Sequence, residues 1–201
     1  MAWLQGFGKE SWTMNLFILD NDPVKAAQLQ CDKHVVKMIV ESAQMLSTVH
    51  RMLDGVETRV PSKSGKTMSK AWTLPDSREG VLYRAVHMHH PCTIWTAKSN
   101  NNYTWHYVHF VALCDEYTYR YGKVHGTDKL LREVLKNLPR NIPVGYKTPQ
   151  PLAMQSNPEC INTNDIVGSY RKFYQTKQDR FKMAWTKRPV PEWFCINKLV
   201  A

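Results

Sequence analysis

The chain has 201 residues, 43% of them hydrophobic and 22% charged, a balance that excludes wholesale disorder and makes one domain the expectation. Lysine and arginine number 27 against 17 aspartates and glutamates, a formal charge of +10, so an anionic partner is favoured, nucleic acid first. Cys31, Cys92, Cys114, Cys160 and Cys195 form no CxxC pair, which argues against a disulfide framework or a zinc spacing and for a reducing compartment.

Residues 1–13 have neither a basic start nor a long apolar core, so they read as a leader or an appended remnant rather than a signal peptide. No apolar run approaches the roughly 20 residues that cross a bilayer. A cleaner pattern begins at Met14. Asn15 to Leu19 is short and apolar and predicts a strand, and Asp22-Pro23 then predicts a helix start with Asp22 as cap. Val24 to Leu53 contains no Pro or Gly. Val35, Ile39, Leu46, Val49 and Leu53 define an apolar stripe, and Lys33, Lys37, Glu41, Gln44, Thr48 and Arg51 define another face. The expectation is a long amphipathic helix with a break near Cys31-Asp32 and a solvated polar side.

Residues 54–76 carry Gly55, Pro61, Gly65 and Pro75 with Arg59, Lys63, Lys66 and Lys70 interleaved, predicting a long, basic, mobile loop. A helical region is expected from Asp76 towards His90, with a restart at Pro91. Asn100-Asn101-Asn102 reads as a stop or cap, and Tyr103 to Tyr121 as an aromatic helix closed by Gly122. Thr127 should cap a short helix to about Leu138. Five prolines in 139–164 predict a surface wrap, and Asp165 to Trp185 a last helix, with 195–201 as a tail. The fold class expected is mainly α: a single helical bundle over 14–194 with at most one short strand and long Pro-rich surface segments.

One stretch joins an amine, an imidazole and a carboxylate within three helical turns. Lys33, His34, Lys37 and Glu41 are therefore the candidate catalytic residues, with Lys37 and Glu41 one turn apart and His34 as proton carrier or base-edge contact. A solvated face with one helical ion pair is the plain alternative. His87, His89, His90, His106 and His109 invite a metal reading, but HxHH places neighbouring rings on different helix faces, so no metal and no cofactor is expected. His90, Trp95, Asn102 and Trp105 are candidates for a substrate pocket in which a flipped base stacks on a Trp. From Arg171 to Arg188 seven cations face Asp179 alone. Of these, Arg171, Lys172, Lys177, Arg180 and Lys182, together with Arg59, Lys63, Lys66 and Lys70, are the candidate contacts to DNA phosphates.

MNLFILDNDP, CDKHVVKMIVESAQML, HPCTIW, EYTYRYGKVH and VPEWF resemble the sequences of small phage-encoded proteins over about 14–194. The order of apolar segment, basic and acidic helix, His-Pro helix start and aromatic helix also resembles the pyrimidine-dimer DNA glycosylase (endonuclease V) family. That resemblance implies a small, basic, mainly α protein that flips a base from duplex DNA and attacks the sugar with an N-terminal α-amine. In the family a helical Arg-Glu pair assists. Lys33-His34 and Lys37 fall near that helix here, and Glu41 is the nearest carboxylate downstream, while 1–13 would displace an amine at residue 14. The expectation is a phage-type base-excision glycosylase with lyase activity, acting on double-stranded DNA in the host cytoplasm without membrane contact. A non-enzymatic DNA-binding, host-takeover or virion protein is the alternative, and a His-dependent metalloenzyme the third.

Overall fold

The computed structural model describes residues 14–62 and 64–194; segment 1–13, Lys63 and the 195–201 tail with Cys195 lie outside the described residues. Among the described residues the fold is mainly helical, with six α-helices and one two-stranded sheet. The apolar stripe of the long helix does what its spacing predicts: Val35, Ile39, Leu46 and Val49 are fully buried, each burial contributing about 1.5–3 kcal/mol.

Helix α1 spans Pro23–Gln28, and Asp22 caps it by accepting from Val24 and Lys25 amides at 2.7 and 3.2 Å. The predicted break follows, and α2 runs Asp32–Asp54. Helix α3 is Pro91–Ala97, with His90 Nδ1 accepting from the Cys92 amide, and α4 is Asn100–Tyr121. Gly122 ends α4 at φ 66°, a left-handed conformation that favours glycine. Helices α5 (Gly126–Lys136) and α6 (Ile166–Gln175) complete the set. Helices α2 and α4 lie antiparallel: Asp32 at the start of one pairs with Arg120 at the end of the other, and His50 meets Tyr103 at their opposite ends.

Several expectations are corrected. Asn15–Leu19 forms no strand; it threads the core as irregular chain, with Leu16, Ile18 and Leu19 buried. The 54–76 region is not simply a loop but an antiparallel hairpin, β1 (Val56–Pro61) and β2 (Met68–Thr73), because β-branched and aromatic residues flank its tip. After Asp76 there is one 3-10 turn (Ser77–Gly80) and then irregular chain to His90. Asn100–Asn102 do not stop a helix: Ser99 caps α4, and the three asparagines form its first turn. His125, not Thr127, caps α5. The last helix ends at Gln175, continues as a 3-10 turn to Asp179 and is irregular beyond. The 139–164 wrap carries no α-helix.

The polar face of α2 is not solvated past its second turn. Arg51 is 3% exposed and uses all five of its N–H donors, on Glu79 Oε2 and on the carbonyls of Trp72, Glu79, Leu82 and Tyr83. It thereby fastens the hairpin base and the 81–90 segment to α2.

Candidate active site

The site begins with two residues one helical turn apart on α2. Lys37 Nζ lies 2.9 Å from Glu41 Oε1, while Glu41 Oε2 is buried with no partner. Burial raises the Glu41 pKa above the ordinary carboxylate value. Lys37, the Asn15 backbone amide and His87 oppose that rise.

The N-terminal segment brings Asn15 to this carboxylate. Asn15 Nδ2 donates to the Ala153 carbonyl at 2.8 Å, and Asn15 Oδ1 accepts from the amides of Leu16 and Phe17. Phe17 takes a left-handed φ of 49°, strained for an aromatic residue, and its ring stacks 4.7 Å from His34 and edge-on to Tyr174. Ring packing therefore holds the bend that aims the Asn15 amide at Glu41. The Met14 backbone bonds the His90 ring on the next side.

One wall is cationic. A narrow cleft is lined by Asn15, Phe17, His34, Lys37, Phe173, Lys177, Arg180 and Phe181. Lys33 Nζ sits 4.3 Å over the Phe181 ring and Lys177 Nζ 3.5 Å over Phe173. Partial burial, then Arg180 and Lys37, bring the Lys177 pKa down to about 8. His34 is buried and its pKa falls to about 3, through desolvation and then the cations Lys37, Lys177 and Lys33. It is a neutral wall residue near pH 7 rather than the proton carrier its spacing suggested. A separate shallow groove is formed by residues 85–90, with His87 exposed at φ 51° and the His90 pKa lowered by burial.

Lys33, His34 and Lys37 thus gather with Lys177 and Arg180, Glu41 joins them through Lys37, and His90 lies apart, against the Met14 backbone and in the 85–90 groove. The other sequence candidates lie elsewhere. Trp95 and Trp105 are 5% and 7% exposed and contact each other edge-to-face, so neither ring offers a face to a base. Their indole N–H groups donate to the Thr148 and Asn21 carbonyls. Asn102 is fully buried and exchanges two hydrogen bonds with Thr148. Arg171 faces away from the cleft, donating to the Leu19 carbonyl and lying over Trp193, and Lys172 donates to the Glu159 carbonyl. Lys182 is exposed beyond the cleft. Arg59, Lys66 and Lys70 are exposed on the hairpin, where Lys70 pairs with Glu57 at 2.8 Å, and Lys63 lies outside the described residues.

Sequence reasoning missed Asn15, Phe17, Phe173 and Phe181. The one signal for them was a polar Asn opening an apolar run, which alone suggests a strand edge. Among the described residues no three His, Cys, Asp or Glu side chains gather as a metal would require, because His106 and His109 are sealed in the core. Cys31, Cys92, Cys114 and Cys160 are free, buried thiols. No described helix is long and apolar enough to cross a membrane. Comparisons with family models, curated proteins and solved structures return no match for this chain.

Proposed function

We propose that the chain is a base-excision DNA glycosylase with a coupled lyase step, of the kind phages carry into the host cytoplasm, acting on double-stranded DNA. The observation that carries this reading is Glu41: a buried carboxyl with one oxygen on the Lys37 amine and the other unpartnered, where Lys37 itself lines a narrow cleft with Lys177 and Arg180. Phosphates on Lys37, Lys177, Arg180 and the neighbouring Lys33 would bring a flipped nucleotide to the mouth of that cleft.

The chemistry needs a neutral amine and a nearby acid. Glu41 Oε1 takes the proton of Lys37 Nζ across their 2.9 Å contact, a transfer that burial of the carboxylate favours. The freed nitrogen bonds to sugar C1′ as the C1′–N bond to the base breaks. The base leaves with that electron pair and receives the proton from Glu41. The sugar opens to an iminium, and the restored carboxylate removes the C2′ proton so that the 3′ phosphate departs by β-elimination. The family resemblance names an α-amine as attacking group instead, and the Asn15 nitrogen faces Glu41, so a chain beginning at Asn15 would carry an amine at that spot.

Borohydride trapping on damaged and modified duplexes tests the reading. A covalent adduct lost in Lys37→Met identifies the side-chain amine; an adduct appearing only in a chain trimmed to Asn15 identifies the α-amine. No adduct and no base release from either form would leave a DNA-binding protein without catalysis.

A further inference from the structure

The 143–148 segment of the Pro-rich wrap is held by seven hydrogen bonds to the end of α3 and the start of α4. Asn100 N–H donates to the Pro143 carbonyl and its Oδ1 accepts from Gly145 N–H; Asn101 Nδ2 donates to the Gly145 carbonyl. Ser99 Oγ donates to the Tyr146 carbonyl, Asn102 exchanges two bonds with Thr148, and Trp95 Nε1 donates to the Thr148 carbonyl. Asn102 and Trp95 are buried, so the anchors belong to the core.

On this fixed backbone stand the two most exposed large apolar side chains among those described, Val144 at 90% and Tyr146 at 92%. Folding has fixed a loop and left a rigid aromatic ring in water. The surroundings point to an anion. Lys147 follows Tyr146, exposed Lys98 precedes the anchoring Ser99, and no Asp or Glu occurs in 80–114 or 134–158, the two stretches that meet here. Lys147 Nζ also lies 5.8 Å from the Trp105 ring centroid, which holds the ammonium at this surface; a fixed exposed ring beside two exposed lysines matches a base on a phosphate backbone.

We propose that Tyr146, flanked by Val144, is a stacking platform for an unpaired DNA base, with Lys147 and Lys98 taking the neighbouring phosphates. The inference rests on the DNA-binding part of the reading above and not on its chemistry. The ordering cost is already met in the free protein, because the asparagine anchors and Pro143 and Pro149 fix the loop before DNA arrives.

The test uses the full chain and a single-stranded oligonucleotide carrying 2-aminopurine, whose fluorescence drops when the base stacks. The native chain should quench it on binding. Tyr146→Ala should abolish quenching and weaken affinity about tenfold with an unchanged melting temperature, and Tyr146→Trp should restore both. Lys147→Ala should keep the quenching and lower the salt slope by about one unit. Equal binding and quenching by Tyr146→Ala would overturn the platform while leaving DNA binding intact. Absence of any oligonucleotide or duplex binding would overturn the DNA reading itself. A change of self-association in Tyr146→Ala, with DNA binding untouched, would assign the ring to a second copy of the chain and overturn the proposal.

Discussion

The Tyr174 hydroxyl accepts from the Cys31 backbone amide at 2.8 Å and lies 2.7 Å from His34 Nδ1. Either neutral tautomer of His34 satisfies this contact, the phenol giving its proton to Nδ1 or accepting one from it. Protonation would place a charge on a buried ring. His50, His106 and His109 are buried as well, with pKa values of about 4, well below the ordinary histidine value, and about 3, each lowered first by desolvation. Groups whose folded pKa is depressed leave the unfolded chain holding more protons below about pH 6.5, so stability rises with pH. The stabilisation is complete above that value and is lost as pH falls towards 4. Thermal melts between pH 7 and 4.5 should show a steadily falling midpoint, with about four protons taken up on unfolding near pH 5. A flat midpoint would contradict the neutral assignment.

Glu41→Gln should reduce base release by about a hundredfold or more without lowering the melting temperature, because Gln removes a buried charge whose Oε2 has no partner. Lys37→Met removes a group that holds the Glu41 pKa down, so any remaining activity should have its pH profile displaced upward. Single-turnover rates across pH for both variants check the pair. An unchanged profile would show that Glu41 titrates outside the reaction.

Reversing Lys177 and Arg180 to Glu should weaken duplex binding and reduce the slope of log affinity against log salt by roughly two units. Arg171→Glu should leave the slope alone and lower the melting temperature, since Arg171 is bonded to the Leu19 carbonyl and stacked on Trp193. Binding by the native chain should also decline as pH rises through about 8, where Lys177 loses its charge. Salt titrations of the variants, and of the native chain on both sides of that pH, measure each effect.

Arg51→Met should cost about 3 kcal/mol of unfolding free energy, because a buried guanidinium is removed from four carbonyls and a carboxylate. Arg51→Lys keeps the charge but not the planar fork, and should recover less than half of that loss. Urea denaturation gives both values.

The parts of the fold legible in sequence were those set by local rules. Asp22-Pro23, His90-Pro91 and Gly122 mark helix ends through caps and a left-handed residue, and those marks need no tertiary partner. What was not legible depends on distant partners. Arg51 and Thr48 look like solvent-facing residues until the 72–86 segment supplies carbonyls and an amide for them. Asn100–Asn102 look like a helix stop until 143–148 arrives to bond them. The Lys33–Glu41 cluster was visible because helical spacing brings its members together. Asn15, Phe173 and Phe181 were not, because they join it from more than a dozen to well over a hundred residues away.

The threading of Asn15–Leu19 through the core sets the order in which this protein can be made. Asn15 is bonded to Ala153, Leu19 to Arg171, and Phe17 lies against Phe173 and Tyr174. The earliest described segment to leave the ribosome is therefore completed by one of the latest. Until α6 emerges, Leu16, Ile18 and Leu19 have no finished core to enter, so a nascent chain carries them without their final partners until then. Closure of so long a loop is also entropically slow compared with pairing α2 against α4. A fragment ending before Ile166 would hold most of the helices and still lack the seal that keeps its first apolar residues from other chains.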